Sequence, residues 1–210
     1  MHDELQALDQ NNTWSVLRLS KDKHAMGSRW VFKTKFKSDG SIKRYKAHFM
    51  AQGYTQTFGI DYKETFALVA KMNIVRVLIS VAVNNRWLMC QMDVKNAFLH
   101  GNLKEEIYMK LPSGHLQSSN PNLVCRLHKS IYRLKQSPRA WHAQLIIFLK
   151  DSDFKRSNAN SSLFFQLGPT TKVIFLSMLM TLLLWEMMVT QYLTSRLFCT
   201  NVFPLKTLAV

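Results

Sequence analysis

Between residues 30 and 50 the sequence alternates with a period of two, and this pattern limits the fold more than any other. Trp30, Phe32, Thr34 and Phe36 fall on one parity, with Lys33, Lys35 and Lys37 between them. Ser38-Asp39-Gly40 supplies a turn, and residues 42–50 return with Lys43, Arg44 and Lys46. Successive strand side chains point to opposite faces, so the pattern predicts a β-hairpin with a basic face. Charge on an exposed edge can serve only to prevent pairing with other chains. Six cations with Tyr45 among them also suit a phosphate backbone or a triphosphate.

The rest of the chain supports a polyanionic partner. Over 210 residues the net charge is +15, a surplus that points to nucleic acid or an acidic membrane, although merely soluble basic proteins carry it too. The length allows one large domain or two small ones. Cys90, Cys125 and Cys199 are an odd number, far apart and without a CxxC pair. That argues against a disulfide framework or a zinc site and fits a reducing compartment. Asp3, Glu4 and Asp9 near the N-terminus exclude a signal peptide, and the default localisation is cytoplasmic.

Residues 4–12 read as a short helix ended by Asn11-Asn12, and Trp14, Val16 and Leu19 as an extended piece. Residues 53–66 are polar and irregular. Residues 72–83 form an apolar helix, with Ile74, Val77, Leu78 and Val81 at helical spacing. Strands are predicted over 88–94, 105–111, 123–127, 163–166 and 173–176, the last two joined across Gly168-Pro169. A helix opens at Ser137-Pro138, with Pro in its first turn, and runs to Lys150 with Ala140, Trp141, Gln144, Leu145, Phe148 and Leu149 on one face.

The apolar run at 88–92 ends in one carboxylate, Asp93, followed by Ala97, Phe98 and Gly101. A carboxylate at the mouth of a buried strand is costly to desolvate, so such groups are paired, metal-bound or partly wet. A surface Asp at a strand end is the plain alternative.

Several runs, in this order, resemble the reverse transcriptase of Ty1/copia-type LTR retrotransposons. They are Arg29-Trp30-Val31-Phe32-Lys33, Arg44-Tyr45-Lys46-Ala47, Gly53-Tyr54-Thr55-Gln56, Gly59-Ile60-Asp61-Tyr62 and Glu64-Thr65-Phe66-Ala67, followed by Gln91-Met92-Asp93-Val94-Lys95, Ala97-Phe98-Leu99-His100-Gly101, Glu105-Glu106-Ile107-Tyr108-Met109 and Leu134-Lys135-Gln136-Ser137-Pro138-Arg139-Ala140-Trp141. The resemblance implies an α+β fold, a right-hand polymerase with fingers and a partial palm of antiparallel sheet and flanking helices. It implies template-directed dNTP addition on an RNA or DNA template-primer by two Mg²⁺ ions. Asp93 then matches the first metal-binding carboxylate, helped by the Val94 backbone carbonyl. Phe98 matches the aromatic under the sugar that excludes a 2′-hydroxyl. Arg44 and Lys46 are candidates to grip the triphosphate, and Lys135, Gln136 and Ser137 to lie near nucleotide and template.

The chain departs from the family pattern at Arg133, where Gly is usual, at Leu68, where Pro is usual, and at His48, where Arg is usual. A turn requiring positive φ would resist Arg133. The largest departure follows Leu176. The family carries Tyr-Val-Asp-Asp there; this chain reads Ser177-Met178-Leu179-Met180 and has no Asp from Val173 onward. The partners of Asp93 are therefore missing near Leu179 and Met180. The apolar run that follows is interrupted by Trp185-Glu186, too soon to span a bilayer, and no membrane partner is expected.

The single codons of Met and Trp expose what lies beneath. In the frame starting at each codon's third base, Met180-Thr181 forces Asp, Trp185-Glu186 Gly, Met187-Met188 Asp and Met188-Val189 Gly. The whole run permits Tyr-Val-Asp-Asp-Ile-Ile-Ile-Val-Gly-Asn-Asp-Gly. A small deletion near the codons of Leu176 and Ser177 would put the following residues out of frame. Phe203-Pro204-Leu205-Lys206-Thr207-Leu208 resembles the family again.

The expected organisation is thus a partial reverse transcriptase over residues 1–176 and an out-of-frame or degenerate tail over 177–210, not folded in the native way, with no thumb and no RNase H. The expected function is that of a catalytically dead polymerase fragment, once part of a Gag-Pol-like polyprotein. The alternatives are a non-catalytic basic nucleic-acid-binding module and a translated pseudogene without function. In the last case, a palm lacking its central hairpin would leave strand edges unpaired.

Overall fold

The computed structural model describes residues 1–67, 70–115, 118, 120, 122–168 and 172–177, with the backbone of 181–186 and 205–209. The elements are α1 (His2–Gln10), β1 (Trp14–Arg18), β2 (Ser28–Phe36), β3 (Ile42–Ala51), α2 (Met72–Asn84), β4 (Leu88–Val94), β5 (Asn102–Lys110), β6 (Leu123–Lys129), α3 (Ser137–Asp151), β7 (Lys155–Arg156), β8 (Leu163–Leu167), β9 (Lys172–Ser177), β10 (Thr181–Glu186) and β11 (Leu205–Ala209), with 3₁₀ turns at Gly53–Thr55 and Ala97–His100. The fold is mixed α and β, and the paired strands are antiparallel. The chain forms two units that interleave in sequence: Met1–Phe66 with Phe98–Trp141, and Ala67–Ala97 with His142–Val210.

The first unit holds the sheet β1-β6-β5 and the hairpin β2-β3. Alternation in β6 buries Cys125 and Leu127 and exposes Arg126 and His128. Burial pushes the Cys125 thiol up to about 12, helped by the charge of Asp9. The core joins Leu8 of α1, Phe49 of β3, Met109 of β5, Leu127, Ile131 and Leu134. Trp30 and Trp14 lie 5.2 Å and 5.9 Å from the Phe49 ring. At the departure noted above, His48 Nδ1 lies 3.3 Å from Glu4 Oε1 of α1, so a shorter side chain than Arg still meets a carboxylate. α1 begins two residues before the expected start, and the predicted irregular stretch 53–66 is ordered where it meets residues 135 and 136.

The second unit is a six-stranded sheet, β11-β4-β10-β9-β8-β7. β4 is interior, paired with β10 on one side and β11 on the other. The pseudogene alternative carried unpaired strand edges; among the described residues both edges of β4 and of β9 are paired. β9 and β10 pair from Ser177↔Leu182 to Val173↔Glu186. Backbone hydrogen bonding does not need the lost carboxylates, and a short continuous apolar run suits an interior strand. The Gly168-Pro169 turn is described only as far as Gly168; Pro169 and Leu68 lie outside the described residues.

The inward face of α2 includes Ile74 and Leu78 of the predicted set but is rotated toward Val75 and Ala82. Val75 and Ala82 are buried and Ile74 and Leu78 pack beside them against Leu176, while Val77 and Val81 are exposed. The exposed polar residues Asn73, Arg76 and Ser80 lie on the side opposite Val75 and Ala82, and the apolar residues between the two sides blur the boundary.

Candidate metal and nucleic-acid site

The predicted site residues are divided between the units. Asp93 and Val94 end β4 in the second unit. Asp93 is half-buried, Val94 is buried, and Asn96 turns the chain with φ 54. The backbone register places Asp93 opposite Thr181 of β10 and Lys206 of β11. Leu179 and Met180, which immediately precede Thr181, lie outside the described residues.

A Mg²⁺ ion demands near-octahedral oxygen ligation, and a polymerase pair needs several carboxylates. Among the described residues no cluster of three or more His, Cys, Asp or Glu could hold a metal ion. Beyond Val173 the sequence has a single acidic residue, Glu186. Its register partner is Leu88, at the far end of β4. At a rise of about 3.3 Å per residue, that is roughly 17 Å from the Asp93 rung. The acidic groups among the described residues do not fit a Mg²⁺ pair.

In the first unit, Arg44 and Lys46 sit on the hairpin directly across from Lys35 and Lys33. Two like-charged cross-strand pairs on one face repel and destabilise the hairpin by themselves. The one acid between residues 28 and 51 is Asp39 in the turn. The hydroxyl and amide of Ser41 donate to its carboxylate and hold it below the usual carboxylate range.

Lys135 and Gln136 are brought together by Gln56. The Gln56 amide donates to Gln136 Oε1 at 3.0 Å, and the Lys135 backbone N–H donates to Gln56 Oε1 at 2.8 Å. Lys135 Nζ donates to the Gln56 carbonyl at 3.1 Å and lies 4.8 Å from the centre of the Tyr62 ring. Gln136 donates to the Asp61 carbonyl at 3.0 Å. Gln136 and Ser137 are buried, Ser137 donating its hydroxyl to the Ile131 carbonyl at 2.6 Å. The sequence reading missed Gln56 and Tyr62 as organisers of this turn. Both residues lie in runs that carry the family resemblance, but no local pattern pairs them with positions 135 and 136.

Phe98 is buried, with its ring edge-on to Tyr132 at 5.3 Å. Its carbonyl accepts from the Ser130 hydroxyl and from the Gly101 amide. A side chain at Gly101 would meet Trp141 N at 2.7 Å and Ala140 C at 2.8 Å, so only Gly lets the 3₁₀ turn approach the start of α3.

The family model described as reverse transcriptase (RNA-dependent DNA polymerase) matches residues 11–208. The Pol polyprotein of transposon RE2 from Arabidopsis thaliana is 44% identical over 165 residues, covering 78% of this chain and 11% of the relative. That of RE1 from the same plant is 43% identical over 166 residues, covering 78% and 11%. That of TNT 1-94 from Nicotiana tabacum is 38% identical over 166 residues, covering 79% and 12%. The chain therefore spans about a tenth of the length of these polyproteins. Among the described residues no helix is long and apolar enough to cross a membrane. With the match running through both units, the chain belongs to the reverse transcriptase family, in the branch carried by copia-type Pol polyproteins.

Proposed function

We propose that this chain is a reverse transcriptase fragment that no longer polymerises. In this reading the first unit corresponds to the fingers and the second to the palm. The observation that carries it is the register of β4 and β10. The sequence immediately before Thr181, the register partner of Asp93, reads Met178-Leu179-Met180 and contains no carboxylate. One carboxylate and the Val94 carbonyl are too few ligands to replace the hydration of two divalent cations. The residual roles are positional. Arg44 and Lys46 face phosphate, Phe98 underlies the sugar, and Lys135 with Gln136 flanks nucleotide and template-primer. The Pol relatives support an origin within a larger polyprotein. The hidden Tyr-Val-Asp-Asp supports a one-base deletion; sequencing the locus and finding no such motif in the alternative frame rejects that account.

Primer extension on an RNA template with dNTPs and Mg²⁺ or Mn²⁺ is expected to give no templated product. Any templated incorporation overturns the reading. A second reading, a non-catalytic nucleic-acid-binding module, is favoured by the opposed cation pairs on the hairpin. It requires affinity for an RNA–DNA hybrid to fall steeply with added salt. Limited proteolysis separates both from an unstable product: a protected core supports a folded module, and complete digestion supports a translated pseudogene.

A further inference from the structure

Residues 57–62 close on themselves and carry one phenol to a fixed place. The Thr57 amide donates to the Asp61 carboxylate at 2.7 Å, and the Asp61 amide donates back to the Thr57 carbonyl at 2.9 Å. The Gly59 amide, at φ 85, donates to the Tyr62 carbonyl at 2.8 Å, a conformation that glycine adopts without strain. Phe58 meets the Tyr62 ring edge-on at 5.7 Å. The Tyr62 hydroxyl then stands 3.3 Å from Lys135 Nζ, which also donates to the Gln56 carbonyl at 3.1 Å and lies 4.8 Å from the ring centre. An ammonium has three donors. Two of them meet neutral acceptors, and among the described residues no carboxylate pairs with Lys135. The side chain is half-buried. A cation partly withdrawn from water among neutral partners keeps its whole charge, and an anion that meets it offsets the desolvation.

We propose that Tyr62 is a positioning residue: with the Gln56 carbonyl, it aims the third donor of Lys135 at one phosphate oxygen of a bound template-primer. The phenol oxygen accepts one N–H, and the face of the ring attracts the cation as well. A free lysine loses rotamer entropy when a ligand fixes it. Here the two struts fix it on folding, so the contact is set before the ligand arrives. Tyr62 itself touches no nucleic acid and acts only through Lys135. The inference rests on the reading of Lys135 as a residue beside the template-primer and is independent of the metal site.

The test follows binding of an RNA–DNA hybrid to the full chain by fluorescence anisotropy, between about 50 and 200 mM salt and without divalent metal. Lys135→Gln is expected to lower the salt slope by about 0.9, one phosphate contact. Tyr62→Phe keeps the ring and loses only the acceptor, so the fold is retained. It is expected to weaken binding about threefold, and to change nothing when Lys135 is already Gln, because an effect that passes through Lys135 vanishes with it. Tyr54→Phe, the loss of an exposed phenol from the neighbouring turn, leaves affinity and slope unchanged. Equal losses from Tyr62→Phe in both backgrounds assign Tyr62 a purely structural role and overturn the proposal. So does Tyr62→Phe binding like the unaltered chain while Lys135→Gln lowers the slope; the reading of Lys135 then survives alone. An unaltered slope in Lys135→Gln overturns that reading and the proposal with it. Absence of hybrid binding at every salt concentration overturns both, together with the nucleic-acid-binding module.

Discussion

Arg133 holds its backbone at φ 69 in the turn before α3. An L side chain there costs about 1–2 kcal/mol relative to Gly, partly offset by the greater chain entropy of Gly when unfolded. Its carbonyl is also pressed close to Gly53, where any Cβ would collide with it. Arg133→Gly is therefore expected to stabilise the protein by about 0.5–1 kcal/mol, read as a higher urea midpoint with an unchanged slope. Gly101 has the opposite sensitivity. Gly101→Ala must push the backbone of Trp141 aside and is expected to cost about 3 kcal/mol by the same measurement.

At the level of the elements, α2 separates two ideas of what an apolar helix face does. If the face runs through Val75 and Ala82, Ala82→Leu overpacks a closed site and costs about 2 kcal/mol, whereas Val77→Glu stays within about 0.5 kcal/mol. A chemical melt of each variant decides, and the reverse order would restore the spacing-based face. The hairpin was legible because a period of two admits one backbone. The α2 face was only half legible: Val77 and Val81 share helical spacing with Ile74 and Leu78, and the signal against them was the exposed polar side of Asn73, Arg76 and Ser80, which lies opposite Val75 and Ala82. The Gln56 clamp was illegible for another reason: its partners at 135 and 136 stand about 80 residues away, beyond any local pattern. Asp93 could be picked out only through the runs around it. That β10 lies beside it needed the sheet register.

At the scale of the whole molecule, the chain folds as two units that interleave in sequence. The second unit contains a groups-against-solvent balance that pH can probe. His142 of α3 is buried, its Nε2 has no hydrogen-bond partner, and burial, then the charge of Arg156, holds its pKa below the ordinary value. The unfolded chain then takes up the proton first as pH falls. Stability is complete above about 6.5 and declines below it. Urea melts at pH 7.5 and 5.5 should show this loss, and His142→Leu should lessen it; an unchanged difference would remove His142 as its source.

The interior position of β4 also fixes a timetable. Its neighbour β10 begins at Thr181, about 85 residues after Val94, and β11 follows later still. At ribosomal speeds of about 5–20 residues per second, β4 waits roughly 4–17 s with both edges open. During that interval its unpaired N–H and C=O groups are a template for pairing with another chain. Synthesis, more than equilibrium stability, becomes the stage at which this protein is most exposed to aggregation.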